Sequence, residues 1–210
     1  MNLLRLLAVS FILFVSFGCA EKKPVMLEEF HAASLEDFIK KMKSYAILES
    51  SLSLDYKTKG SSLNGDASLK IHKNETFLRV YYLGFPAGDF YEKDGEVSSN
   101  LRVEKDKIKQ LTVGIRKGFM WWDGDFEVTE NEDNFILKDK DREIVLNKNG
   151  FMPVKQSFVI ENEPVLITYD KYTKIRTDDN FSLTMPSNIT VYYKNRTLKI
   201  RIDSIKLRHG

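Results

Sequence analysis

The sequence has little of what enzymes and metal-binding proteins use for chemistry. It contains one cysteine, so no disulfide can form within the chain, and three histidines, none of which has a partner at a metal-site spacing such as i and i+4. It also lacks a Gly-x-Ser-x-Gly elbow, a phosphate-binding loop and a dinucleotide-binding motif. These absences predict a protein that is not an enzyme and that has no catalytic residue, no cofactor and no metal.

The sequence also lacks a charge excess of one sign. Lys and Arg together number 32 and Asp and Glu number 30, and they alternate in stretches such as Glu104-Lys105-Asp106-Lys107. Because no basic block stands out, we expect no nucleic-acid partner. With 42% hydrophobic residues but only 5 prolines and 11 glycines, the composition is typical of one globular domain, and we expect a monomer.

Long apolar runs are absent except at the start of the chain. Arg5 precedes an apolar run, Leu6 to Phe17, which is followed by Gly18-Cys19. The run is shorter than the roughly 20 residues that span a bilayer, and it has the parts of a secretory signal peptide. We therefore predict a signal peptide over residues 1–18, a tether over 19–33 and one folded domain over 34–210.

The folded domain is predicted to begin with a helix. Ser34-Leu35-Glu36-Asp37 resembles a capping box, and apolar residues then recur at helical spacing. The polar face mixes both charge signs, which favours a helix that covers a sheet over one that lies on a membrane.

From Glu49 onward the apolar period changes to two, which indicates strands. About five antiparallel strands are predicted before a second helix over Glu104 to Ile115, and strands again dominate after Asp125. The fold class is therefore mainly β with α, an α+β fold: a large curved antiparallel sheet forming an incomplete β-barrel, with helices covering its concave side.

Two stretches leave alternatives open. Phe85 lies in a predicted loop, Gly84-Phe85-Pro86-Ala87-Gly88, where it either folds back to cap the core or stands in solvent to contact a membrane or another apolar partner. Trp121 and Trp122 lie in an aromatic loop between Gly118 and Gly124, which either plugs the space under the sheet or lines a pocket for an acyl chain.

The residues around the cysteine, Val15-Ser16-Phe17-Gly18-Cys19, resemble the lipobox of bacterial lipoproteins. The resemblance implies lipidation of Cys19. Since Ala20 follows in place of the Asp that retains such proteins in the inner membrane, it also implies a lipid-anchored protein on the periplasmic face of the bacterial outer membrane. The alternative is a soluble secreted protein with an incidental cysteine.

Three further stretches resemble the LolA/LolB-like bacterial lipoprotein carriers, and most closely their outer-membrane receptor. They are Leu83 to Gly88, Ile108 to Gly124, and Met185-Pro186-Ser187-Asn188-Ile189 preceded by Tyr169-Asp170. The resemblance implies an apolar cavity that binds the acyl chains of lipoproteins or lipids, a periplasmic lipoprotein chaperone as partner, and a membrane-insertion loop with Phe85 at its tip. A structural or sensor lipoprotein with a filled core would have the same sequence pattern and stays an alternative.

Strand alternation suggests which residues would form the cavity walls, although it cannot show which face of the sheet is concave. Together with the aromatic loop, the predicted wall residues are Tyr56, Val80, Tyr82, Trp121, Trp122, Phe126, Phe158, Ile167, Tyr169 and Ile200.

Overall fold

In the computed structural model, which describes residues 28–160 and 162–210, the backbone forms two helices and thirteen strands. The helices are α1, Leu35–Ser44, and α2, Lys105–Phe119. The strands are β1 Glu28–Glu29, β2 Tyr45–Thr58, β3 Ser61–His72, β4 Glu75–Tyr82, β5 Phe85–Lys93, β6 Glu96–Ser99, β7 Glu127–Glu130, β8 Asn134–Asp139, β9 Arg142–Asn147, β10 Pro153–Ile160, β11 Glu163–Arg176, β12 Phe181–Tyr193 and β13 Arg196–His209. The predicted signal peptide and Cys19 lie outside the described residues.

The strands form one open sheet made of two antiparallel meanders. The first meander is β2 to β6 and the second is β7 to β13, and the pairing of β13 with β2 joins them into the order β6-β5-β4-β3-β2-β13-β12-β11-β10-β9-β8-β7. In the described part of the chain β6 and β7 end this order, so the sheet is curled but not closed. The predicted fold class, a large curved antiparallel sheet with helical cover, is confirmed.

The burial of alternate residues along the strands shows which face of the sheet carries the core. On β2, Leu48 and Leu52 are buried, whereas Ser51 between them is exposed. The register places Leu52 opposite Ile202 on β13 and opposite Ala67 on β3, and both of these residues are buried too. Apolar side chains of neighbouring strands therefore share one face, which forms the core together with the helices.

Helix α1 begins as its sequence predicts. The Ser34 hydroxyl oxygen accepts a hydrogen bond from the Asp37 backbone N–H at 3.1 Å, and this satisfies one of the free donors of the first turn. Leu35, Phe38 and Met42 are buried against the core, and the Phe38 ring stacks on Trp121 with ring centroids 6.0 Å apart. The predicted role of this helix, to cover the sheet, is confirmed at one end of the sheet.

The end of the predicted tether pairs with the sheet where it enters the described range. Glu28–Glu29 pair in parallel with Phe181 and Ser182 on β12, and the Phe30 ring lies 6.2 Å from that of Phe181. The chain is therefore held against the domain before the predicted boundary at residue 34.

Helix α2 is longer than the sequence pattern predicted. It continues past Ile115 to Phe119, so Gly118 is helical and does not open a loop. Tertiary contacts hold this last turn, because the Tyr169 hydroxyl donates a hydrogen bond to the Gly118 carbonyl oxygen at 3.0 Å and Phe119 is buried. Within the described residues, no helix is long and apolar enough to cross a membrane.

A polar cluster joins α1 to the last strand. Asp179 accepts hydrogen bonds from Lys41, from the Thr177 hydroxyl and from the Tyr45 hydroxyl, the last at 3.1 Å. Asp178 accepts from the backbone N–H of His209 at 2.8 Å. These carboxylates and His209 are close enough together to resemble a metal site, but their oxygen atoms are already engaged by donors from the protein.

This cluster predicts a pH-dependent stability. Burial alone would raise the pKa of Asp179, but the hydrogen bonds from Lys41, Thr177 and Tyr45 lower that pKa to about 2. The pKa in the unfolded chain is about 3.9, so the stabilisation is complete above that value and is lost as pH falls through about 2. We expect Asp179→Asn to lower the free energy of unfolding at pH 7 by about 1 to 2 kcal/mol, after allowance for solvent screening.

Urea denaturation of both proteins at pH 7, 4 and 2 measures this effect. The difference between wild type and Asp179→Asn should shrink towards pH 2, whereas Asp125→Asn, which changes a fully exposed carboxylate, should match the wild type throughout. If Asp179→Asn lowered the free energy of unfolding by the same amount at all three pH values, ionisation of Asp179 would not be the cause of the stabilisation.

Candidate functional site

An apolar cavity lies between α2 and the concave face of the sheet. Its volume is about 280 Å³. The sheet contributes residues of β2 and β10 to β13, and the helix contributes one face. The lining residues are Tyr56, Lys107, Gln110, Leu111, Gly114, Ile115, Gly118, Phe119, Ile160, Val165, Ile167, Ile189, Val191, Tyr193, Arg196, Leu198 and Ile200.

Two glycines on α2 shape this cavity. A Cβ atom built on Gly114 would have no heavy atom within 4 Å, so the space in front of that residue is open. A Cβ atom on Gly118, one turn later, would lie 3.3 Å from Cδ1 of Ile167, so there the helix is in close contact with β11. The helix therefore touches the sheet at its C-terminal end and leaves a void nearer its start.

The cavity floor is held by a buried hydrogen-bond network. The Tyr169 hydroxyl donates a hydrogen bond that the Gly118 carbonyl oxygen, at 3.0 Å, and Oε1 of Gln156, at 3.2 Å, share as acceptors. Burial raises the pKa of Tyr169, which keeps the phenol protonated as a donor. Because this network fixes α2 against β10 and β11, the floor is preorganised.

The opposite side of the cavity opens at one end of the sheet, which we call the mouth end. The hairpin turns at this end include those between β2 and β3, β4 and β5, β10 and β11, and β12 and β13, and α2 also begins there. The polar lining residues Lys107, Gln110 and Arg196 lie on this side. A ligand with an apolar tail and a polar head would enter tail first from this end.

The turn between β4 and β5 carries an apolar tip at the mouth end. Leu83 and Gly84 form a two-residue turn with positive φ at both positions, as hairpins prefer. Leu83, Phe85 and Tyr82 expose 79%, 74% and 50% of their surface. Of the two alternatives for Phe85, the structure has the exposed one.

Strand β5 begins at Phe85, inside the segment that the sequence predicted to be a loop. Phe85, Pro86 and Ala87 belong to β5, because Phe85 pairs with Tyr82 and Pro86 with Tyr81. Strand β6 pairs only with residues 90–93 of β5, so the missing N–H of Pro86 faces no partner strand. The proline is therefore compatible with an extended hairpin arm.

Of the predicted wall residues, Tyr56, Ile167 and Ile200 line this cavity together. Tyr169 lies beneath the floor, and Phe158 is buried with its ring 4.8 Å from Nζ of Lys117. Val80 packs on the core from β4, and Tyr82 belongs to the exposed tip. Most of the core-facing side of these strands is covered by other side chains, so a position on that side does not by itself place a residue in the cavity.

Trp121, Trp122 and Phe126 do not line the cavity. Both tryptophans are buried in the core, where the Trp121 ring lies between Phe38 of α1 and Trp122. Phe126 lies under the guanidinium of Arg142, at 4.8 Å, and borders a separate, more polar groove between α1 and β7–β8. Of the two alternatives for the aromatic segment, the structure shows the first: Trp121 and Trp122 fill the space under the sheet.

The cavity wall contributed by α2 was missed by the sequence prediction. Leu111, Gly114, Ile115 and Phe119 all face the void. The available signal was the pair of glycines four residues apart, Gly114 and Gly118, on the same face as Leu111 and Ile115. A helix face with small residues leaves room for a close neighbour or for a ligand.

The open antiparallel sheet with its two helices is similar to a solved structure. A LolA superfamily protein from Nitrosomonas europaea superposes with a TM-score of 0.56 at 10% identity, covering 85% of this chain and 96% of that one. This likeness shows that the fold is that of the LolA superfamily protein.

Two further structures align more loosely. One is a domain designated an outer membrane lipoprotein-sorting protein from Vibrio parahaemolyticus, with a TM-score of 0.45, 11% identity and coverage of 82% of this chain and 90% of that one. The other is a DUF1329 family protein from Desulfovibrio piger, with a TM-score of 0.46, 10% identity and coverage of 81% and 89%. No protein-family model and no curated protein matches the sequence.

Proposed function

We propose that this protein is a non-enzymatic carrier that holds an acyl chain of a lipoprotein or lipid in the α2 cavity and delivers it to a membrane. The observation that supports this most is the void in front of Gly114, which is lined by apolar side chains and opens at the same end as the apolar hairpin tip. Each methylene group buried there would contribute about 0.8 kcal/mol to binding. Transfer then needs only a difference in affinity between donor, cavity and membrane.

We further propose that the protein acts as a monomer anchored through acylated Cys19 on the periplasmic face of the bacterial outer membrane, and that it receives its cargo from a periplasmic lipoprotein chaperone. The lipobox-like residues before Cys19 support the anchor. Two acyl chains on one cysteine would hold the protein firmly, because a single chain binds a membrane only marginally. The exposed Leu83 and Phe85 support delivery, since large apolar side chains on a turn can enter a bilayer at little structural cost.

A second candidate function is a structural or sensor lipoprotein without acyl-chain transfer. It is supported by the burial of Phe158, Tyr169 and both tryptophans, which fill much of the concave face. It is also supported by the cavity volume of about 280 Å³, which is near the lower limit for ligand pockets, about 300 Å³.

Energy transfer from tryptophan to a conjugated polyene fatty acid distinguishes the two candidates. Trp121 and Trp122 come two and three residues after Phe119, which lines the cavity, so a bound polyene chain should quench their fluorescence and emit light itself. We expect saturation at one chain per protein and displacement by a synthetic acylated lipopeptide. Absence of saturable emission would favour the structural candidate.

A further inference from the structure

The cavity is apolar except at its mouth, where the charged lining residues are both positive. Lys107 comes from the first turn of α2 and Arg196 from the start of β13, so two separate elements place cations at the same opening. Gln110 adds an amide one turn further along the helix. Among the residues that the structure describes, no carboxylate lines the cavity.

Two described carboxylates from the segments around the opening already have partners. Glu104 contacts Nζ of Lys107 at 3.1 Å, but both side chains are mostly exposed, so a bound anion can replace that contact. Glu163 pairs with Lys194 at 3.4 Å. Within the described part of the chain, Arg196 forms no ion pair. An anion at the mouth would therefore meet an arginine that can bind two of its oxygen atoms and a lysine that can turn towards it.

The volume limits the apolar part of the ligand. A methylene group fills roughly the 30 Å³ that a water molecule takes in the liquid, so about 280 Å³ accommodates on the order of ten methylene groups. That is the inner part of one acyl chain and too little for several chains side by side. The ligand therefore inserts one chain and leaves its head at the mouth.

We infer that the cavity selects amphiphiles that combine one inserted acyl chain with an anionic head, a carboxylate or a phosphate, bound by Arg196 and Lys107. This inference rests on the proposed function, because it names the ligand class of the same cavity. The carboxylate would come from a free fatty acid, and the phosphate would come from a phospholipid.

Photo-crosslinking in membranes tests the inference on the full chain. Membranes containing the protein are treated with diazirine-labelled palmitic acid, the matching lysophosphatidylglycerol and the matching uncharged hexadecanol at equal concentrations. Cross-links to cavity peptides, such as those containing Leu111 or Val191, are then counted by mass spectrometry. The same is done with Lys107→Gln/Arg196→Gln and with the control Lys109→Gln/Lys199→Gln, which removes two exposed charges from the same helix and strand outside the cavity.

We expect at least one anionic probe to label the wild-type cavity about tenfold more than the alcohol does. The Lys107/Arg196 variant should lose this preference while still reacting with the alcohol, and the control variant should keep it. Preference for palmitic acid alone identifies a fatty acid, and preference for the lysophospholipid alone identifies a phospholipid. Equal labelling of the wild type by both anionic probes and the alcohol would overturn the inference but leave acyl-chain binding intact, whereas no cavity labelling by any probe would overturn the proposed function itself.

Discussion

Replacing Gly114 with Phe should reduce acyl-chain binding by about 100-fold without unfolding the protein. The open space in front of Gly114 can accept the new ring, which then occupies the volume of the inner part of the ligand. Excluding about four methylene groups at about 0.8 kcal/mol each removes roughly 3 kcal/mol of binding free energy. The helix itself should gain stability, because glycine is the least favourable helix residue except for proline. Titration with the polyene fatty acid measures the affinity, and urea denaturation measures the stability.

Gly114→Ala is the matched control. It relieves the same glycine penalty, by about 1 kcal/mol, but adds only one methyl group to the cavity wall. We expect it to be more stable than the wild type and to bind with nearly unchanged affinity. If Gly114→Phe bound the probe as tightly as Gly114→Ala, the ligand would have to bind somewhere other than this cavity.

The second large effect is expected at the hairpin tip. Leu83→Glu/Phe85→Glu should keep cargo bound but slow its delivery to membranes at least tenfold. Inserting Leu and Phe into a bilayer contributes about 1.5 to 3 kcal/mol each, and carboxylates remove that contribution. Because both side chains are more than 70% exposed, the free energy of unfolding should change little. Transfer of the acyl probe from loaded protein to vesicles measures the rate.

Val128→Glu serves as the control for this variant. Val128 is also a largely exposed apolar residue, at 53%, but it lies on β7, the edge strand far from the β4–β5 turn in the sheet order. Its substitution should leave the transfer rate unchanged. Equal rates for all three proteins would mean that the tip has no part in delivery, and a loss of bound cargo in the tip variant would mean that it acts on binding instead.

Much of the fold follows from short-range patterns in the sequence. Alternation of apolar and polar residues located the strands, since a register error would bring Ser51 and Ser53 of β2 to the core in place of Leu52. The Ser34 cap located the start of α1 for an equally local reason. Local patterns did not predict where α2 ends. The last turn of α2, which ends at Phe119, is held by contacts with strands that are distant in the sequence.

The cavity was harder to predict from the sequence, because its position depends on where side chains of α2 and of the sheet leave space unfilled. Tyr169 and Ile167 share a strand face, yet one lies beneath the floor and the other lines the cavity. The distinction arises from α2, which is in contact with β11 at Gly118 and leaves space at Gly114. Trp121 and Trp122 were equally suited to a pocket wall by composition, and only the position of α1 above them makes them core residues.

The two ends of the sheet differ in ways that match the proposed function. At one end α1, the tryptophans and the Asp179 cluster form a packed, hydrogen-bonded cap. At the mouth end lie the cavity opening, two cationic side chains and an exposed apolar turn. A carrier needs a rigid part to hold the fold and an accessible part to exchange its ligand, and here the two are separated along the strands.

Mass spectrometry of the protein purified without detergent tests the central claim most directly. The chain lacking residues 1–19 is extracted under native conditions, and bound molecules are identified and counted. We expect about one acylated lipid or lipopeptide per protein in the wild type and none in Gly114→Phe. A wild-type protein that is empty, and that also fails to take up an added acylated lipopeptide, would contradict the carrier function and leave a structural lipoprotein with this fold.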